Sequence, residues 1–357
     1  MGPREGQRNS RIPNQLISTG QGHPLPTQKR TKKMAHEIET MAFANAVPWH
    51  GLGNRVDPTV SVDDMLVAAG LDWEVKLRPL YATMEDGTQV KVPLRRALVR
   101  SSDNKVMSVT GDMWKPFQNK DALEFFREYT EAGGAKLETA GSLRGGKMVW
   151  ALASVQEGFT VNRDDHSKGY ILLTSPHEVG RAITVRTTLV RVVCANTMAM
   201  AINSSSAQYS QNHLSKFDTS AAKDTIGLAR EQIIQAGLDA EILSKMKMSQ
   251  FDTVRFLSKF FQPMPETIVS QNDQQQWVDT LINDKGAIDK KLGAVLWSVD
   301  KAPGAVPGTA WGVLNGITHW ADHNAGHKAE ARLYNAWFGD KAKLKLDVRD
   351  ELLQLAA

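Results

Sequence analysis

Residues 137–155 read LETAGSL, then RGG, then KMVWALASV. Two largely apolar runs, Leu137 to Leu143 and Lys147 to Val155, flank Arg144-Gly145-Gly146. Glycine takes positive φ without a Cβ penalty, so a short Gly-Gly link between such runs predicts a β-hairpin.

Working outward, the chain continues in the same style. Tyr170 to Ser175 and Ala182 to Val193 are two further strand candidates on the C-terminal side. On the N-terminal side, Trp73 to Leu80, Gln89 to Arg100 and Lys105 to Thr110 are rich in Val and Leu. Glu85-Asp86-Gly87 and Ser102-Asp103-Asn104 punctuate them, which predicts an antiparallel meander. Between meander and hairpin, Ala122, Leu123, Phe125, Phe126 and Tyr129 recur at helical spacing after Asn119 or Asp121 and stop at Gly133-Gly134. That spacing predicts one amphipathic helix packed on the sheet. Ser61 followed by Asp64 predicts a short capped helix upstream.

From Cys194 onward the texture turns helical. Asn196 to Ile202, Ala221 to Gly237, Gln250 to Phe261, Gln274 to Ile282, Ala310 to Asp322 and Lys341 to Leu355 carry helical spacing or caps, with Pro263, Pro265, Pro303 and Pro307 as breaks. The fold class expected is α+β: a mostly antiparallel sheet packed with helices, followed by a helical C-terminal part. Residues 34–203 form the α+β core domain in this reading and 204–357 the mainly helical region.

Composition bounds the function. With 41% hydrophobic and 23% charged residues among 357, a packed core is expected. One cysteine, Cys194, excludes an intramolecular disulfide and a multi-thiolate metal site, and its place at the end of a Val-rich strand predicts a buried structural thiol beside Val193. No apolar run approaches a membrane span of about 20 residues, and no secretory signal core is visible, so a cytoplasmic location is expected. Residues 1–33 hold seven basic side chains against one acid, a charge of +6, so the +4 of the whole chain leaves −2 for residues 34–357. That first segment reads as disordered: a basic arm, or an extension ahead of a start at Met34. The body is close to neutral, so only local clustering of cations could serve nucleic acid.

The familiar signatures of a phosphate loop, a nucleophile elbow, HExxH or CxxC are missing. No cofactor and no catalytic residue is expected. His319, His323 and His327 recur every four residues beside Asp322, the pattern of a possible metal row on a helix, although Gly326 interrupts it; His319 and His323 are the metal candidates. Trp311 and Trp320 are open to two readings, helix core or base stacking. The cations within strand-type sequence are the nucleic-acid candidates: Lys91, Arg95, Arg96, Arg100, Arg186 and Arg191, with Arg144 and Lys147 at the hairpin tip. Side by side on strands they could form a cationic stripe, or a solvated face paired with acids.

Several segments resemble the phage/plasmid-like protein family defined by domain of unknown function 932. They are Glu39-Thr40-Met41-Ala42, Pro48-Trp49-His50-Gly51-Leu52-Gly53, Ala69-Gly70-Leu71-Asp72-Trp73-Glu74-Val75, Gln118-Asn119, Gly141-Ser142-Leu143-Arg144-Gly145-Gly146 and Val190-Arg191-Val192-Val193-Cys194-Ala195-Asn196-Thr197. The resemblance implies a gene of phages, prophages and plasmids and carries over no catalytic residue. The strands with a packed helix are also similar, at fold level, to Rad52-like single-strand annealing proteins. That similarity implies an oligomeric single-stranded DNA-binding or annealing protein without nucleotide hydrolysis. The alternatives are a non-catalytic protein-interaction factor of a mobile element and a metal-dependent nuclease built on His319, Asp322 and His323.

Overall fold

The computed structural model describes residues 38–44, 53–131, 134–161, 164–191, 196–199, 208–227, 229–284, 286–326, 332, 335–337 and 339–357. The architecture is α+β. In chain order it runs β1 Ile38–Phe43, β2 Asn54–Arg55, α1 Val62–Ala68, β3 Val75–Thr83, β4 Gln89–Arg100, β5 Val106–Gly111, α2 Asn119–Glu124, α3 Arg127–Glu131. It continues with β6 Ala135–Leu143, β7 Met148–Val161, β8 Asp165–Pro176, β9 Ile183–Arg191, β10 Asn196–Ala199 and β11 Gln208–Gln211. The helices α4 Thr219–Gly227, α5 Ala229–Lys245, α6 Gln250–Phe261, α7 Gln271–Asn283, α8 Lys290–Lys301, α9 Ala310–His319 and α10 Asp340–Ala356 complete it, α9 running into a π-helical turn at Trp320–Asn324.

The hairpin forms as the glycines predict. Leu143 pairs with Met148, and Arg144, Gly145 and Gly146 all take positive φ (55, 68 and 84°). This hairpin is the centre of a large sheet ordered β10-β9-β8-β7-β6-β1-β2, antiparallel except for β1 and β2, with β11 also on β9. Both faces are buried, which explains the near-continuous apolar run in β7. Val149, Ala151 and Ala153 pack into one core with Ile171, Leu173, Met65 and Phe126, whereas Trp150 and Leu152 pack with Leu172, Met41 and Phe43 on the other side. A third core belongs to the C-terminal helices and takes in Val161 and Leu189 from the sheet ends.

The meander is a separate three-stranded sheet, β3-β4-β5. Its inner face sends Val75, Leu98 and Met107 into the same core as α1 and α2. Gln118 clips it there: the side-chain amide accepts from the Val75 N–H (2.9 Å) and donates to the Val75 carbonyl (3.0 Å), imitating a neighbouring strand. Asn119 donates to the carbonyls of Leu71 (2.9 Å) and Trp73 (3.1 Å).

Three expectations change or fall outside the described residues. Asn196 to Ala199 is a strand, not the start of a helix, because the free edge of β9 pairs with it from Asn196↔Arg191 to Ala199↔Thr188; tertiary pairing overrides a weak local preference. The helix over 119–131 breaks at Phe125 and Phe126, whose rings turn into the core, leaving α2 and α3. Val193, Cys194 and residues 1–33 lie outside the described residues. The hydroxyl of Ser61 caps α1 as its sequence predicts, accepting from the Asp64 N–H (3.1 Å).

Candidate nucleic-acid interface

The eight cations read from the sequence go to different places. Arg100 is buried under the hairpin, where its guanidinium donates to Asp103 (2.9 and 2.7 Å) and Glu39 (2.7 Å) and lies over the Trp73 ring (5.4 Å). The hydrogen bonds of Asp103 first, then of Glu39, raise its basicity further, and the same contact holds the Asp103 carboxyl down at about 2. Arg144 donates to Glu178 (2.7 Å), which also receives Arg181 (2.6 Å). Lys147 is half-buried, and its carbonyl accepts from the His177 N–H (2.7 Å). Arg186 reaches across to the Trp337 carbonyl (2.5 Å), and burial pushes its guanidinium down to about 10, still charged at neutral pH. Arg191 belongs to β9 and pairs by backbone with Asn196 and Ser167; its side chain lies outside the described set. Of the two alternatives, a cationic stripe or cations paired with acceptors, Arg100, Arg144 and Arg186 follow the second. Arg100, Arg144 and Arg186 are structural cations, matched to carboxylates or a carbonyl.

What remains lies on the small sheet. Register alternation decides the faces. Val75, Leu77 and Pro79 pair with Arg100, Leu98 and Arg96, so these face inward; Lys76 and Arg78 pair with Val99 and Ala97 and face outward. Val106 and Val109 join that outer face through β5, and Arg95 follows beside Gly111. The result is an exposed surface with Lys76, Arg78 and Arg95 around Val106 and Val109, which are 57% and 42% exposed. Lys76 has an exposed neighbour in Glu74 (3.2 Å). Among the described residues, no carboxylate stands within ion-pair distance of Arg78, Arg95, Arg96 or Lys91.

Between Lys91 and Arg96 the strand bulges. One residue of β3 faces four of β4, and Leu94, at φ 55°, is pushed out to 72% exposure. A positive φ costs a leucine about 1–2 kcal/mol, so neighbouring pairing must hold it there. Beyond the bulge Lys91 stands opposite exposed Tyr81, at the distal end of the sheet. Arg96 is half-buried on the inner side. Lys76 and Arg78 were missed by the sequence reading, although Val75-Lys76-Leu77-Arg78 alternates in the way a one-sided strand must.

The histidine row resolves differently. His319 is buried with Nδ1 3.3 Å from the Ser298 hydroxyl, its ring 4.8 Å from that of His323, and desolvation pushes it down to about 4. Asp322 turns to the buried Lys345 ammonium (2.8 Å) instead. Among the described residues no group of three His, Cys, Asp or Glu side chains could hold a metal ion, and His327 is outside that set. Trp311 and Trp320 are core: the Trp311 indole N–H donates to Asp165 (2.7 Å) and Trp320 meets Phe261 edge-on.

The family described as a domain of unknown function (DUF932) matches residues 106–338. The chain belongs to the DUF932 family. The match begins at the first residue of β5 and covers β6 to β11 of the large sheet and the helices α2 to α9, so β1 to β4 and α1 precede it. No curated protein and no solved structure matches the chain. Among the described residues of this DUF932 protein no helix is long and apolar enough to cross a membrane.

Proposed function

We propose that the protein binds single-stranded DNA on the outer face of the three-stranded sheet, as an oligomeric recombination or annealing factor of a phage or plasmid acting in the bacterial cytoplasm. The observation that carries the reading is the cluster of Lys76, Arg78 and Arg95 around exposed Val106 and Val109. Cations with little acidic compensation attract a phosphate backbone, and adjoining apolar surface suits unstacked bases. Binding of this kind involves no chemical step and no nucleotide hydrolysis.

The reading is tested by titrating labelled single- and double-stranded oligonucleotides across a salt series, with sizing in parallel. Three phosphate contacts on a single strand give a slope of about −2 in log K against log salt, or about 20-fold weaker binding between 50 and 200 mM. Arg78→Ala with Arg95→Ala is expected to cut that slope by about two thirds. A salt-independent affinity, or none at low salt, would falsify the reading. A second reading, a protein-interaction surface, is favoured by Leu94 at 72% and Met113 at 72% exposure beside the same sheet. Self-association that persists without nucleic-acid affinity and is lost in Leu94→Asp would favour it.

A further inference from the structure

We infer that the cleft between the β5–α2 connection, α2 and the segment before α4 binds one nucleotide unit of the same strand, with its base on a phenylalanine floor and its phosphate between Lys115 and Lys216. The inference rests on the strand-binding reading and assigns a second contact to it. The cleft encloses about 510 Å³, within the size range of small-molecule sites. Its floor is aromatic: Phe117 and Phe217 are stacked with centroids 4.4 Å apart, and Phe125 meets Phe217 edge-on at 6.1 Å. Phe217 is only half-buried, so one aromatic edge of the floor is open to a planar guest.

The rim sorts into neutralised and available charge. Arg127 is held by Glu124 (2.7 Å) and Asp63 (3.0 Å), and Lys223 by Glu128. Lys115 and Lys216 are exposed and, among the described residues, are within ion-pair distance of no carboxylate, and the same holds for Asp121 toward cations. Two ammonium groups near an aromatic floor suit a phosphodiester attached to a base. A carboxylate on the same rim accepts from an exocyclic amino group, as cytosine presents at N4. The position also fits. Arg95 pairs with Gly111 on the sheet, and Lys115 is four residues further along the chain, no more than about 14 Å of extended backbone away.

The test uses the full chain and three probes: labelled oligodeoxycytidylate, an abasic strand of equal length, and free cytidine monophosphate. The parent protein is expected to bind the abasic strand about tenfold more weakly than oligodeoxycytidylate. Phe217→Leu, which keeps an apolar side chain and removes the ring, is expected to bring oligodeoxycytidylate to the abasic level and to leave abasic binding unchanged. The exposed Lys216→Glu, which should not disturb folding, is expected to weaken oligodeoxycytidylate as well. Arg78→Glu with Arg95→Glu is expected to weaken both strands alike. Equal parent affinity for the two strands, or a Phe217→Leu loss of the same size on both, overturns the cleft while strand binding stands. Failure of the parent to bind either strand overturns the strand reading itself. Binding of cytidine monophosphate that is lost in Phe217→Leu, without strand binding, overturns the strand unit in favour of a free nucleotide.

Discussion

Arg95 and Arg100 belong to one strand, five residues apart, and do opposite things. Arg100 is sealed against Glu39, Asp103 and Trp73, whereas Arg95 stands in solvent on the other face of the same sheet with no carboxylate in reach among the described residues. The large sheet repeats the first case with Arg186, half-buried and bound to a carbonyl. The small sheet repeats the second with Arg78. An arginine in a strand is thus not a binding signal by itself. Parity and the coverage of its face decide, because a buried cation must be matched by acceptors, while an exposed one keeps its charge for a partner.

The largest effect that sharpens this contrast is on stability. Arg100→Met removes a nearly buried cation and strands Glu39, itself only 23% exposed, so unfolding in urea should require about 3 kcal/mol less. Arg95→Met should remain within about 0.5 kcal/mol of the parent, as a surface change with no partner to lose. Equal losses at the two positions would break the contrast.

Acid reaches one side of the comparison only. His177, the residue after β8, is fully buried: its Nε2 faces Asn119 (2.9 Å), its ring meets Trp73, and its pKa is pushed down to about 3, by desolvation first and by nearby His213 second. Burial also lowers His213, which stacks on Trp114 at 4.1 Å. These histidines are neutral in the native state, while the unfolded chain takes up protons near pH 6.5, so stability is complete above that pH and falls as pH drops toward the native values. Between pH 6.5 and 4.5, His177 alone should remove about 2–3 kcal/mol, and His177→Gln should flatten that part of the profile. Arg78→Ala with Arg95→Ala should leave the acid slope as it is. A parent profile flat over this range would refute the buried neutral histidine.

Most of the fold was legible because its signals are local. The Gly145-Gly146 turn, the Ser61 cap and the apolar-rich runs of β3 to β9 each follow from neighbours in sequence. Asn196 to Ala199 was not legible, since only the edge of β9 makes it a strand. The candidate site was half legible. Strand cations could be found, yet separating Arg95 from Arg100 needed the fold, because Glu39 lies 61 residues from Arg100 in the chain. Lys76 and Arg78 were available from the alternation in β3 alone. The phenylalanine cleft was out of reach, since Phe217 meets Phe117 across one hundred positions.

The smallest effect tests how the hairpin covers Arg100. Gly145 takes φ 68°, and a Cβ there would meet only the flexible end of Lys105, whose ammonium donates to the Gly145 carbonyl (3.1 Å). Gly145→Val should therefore cost about 1–2 kcal/mol, nearly all of it the left-handed backbone. Gly146 differs: at φ 84° its added Cβ would lie 2.8 Å from the Arg100 guanidinium, which is pinned by two carboxylates and cannot easily move. Gly146→Ala should accordingly be worse than Gly145→Ala in the parent and equal to it in an Arg100→Met background. If the two alanine variants are equally stable in the parent, the hairpin does not hold Arg100 in place, and the pairing with Glu39 and Asp103 must suffice to bury it.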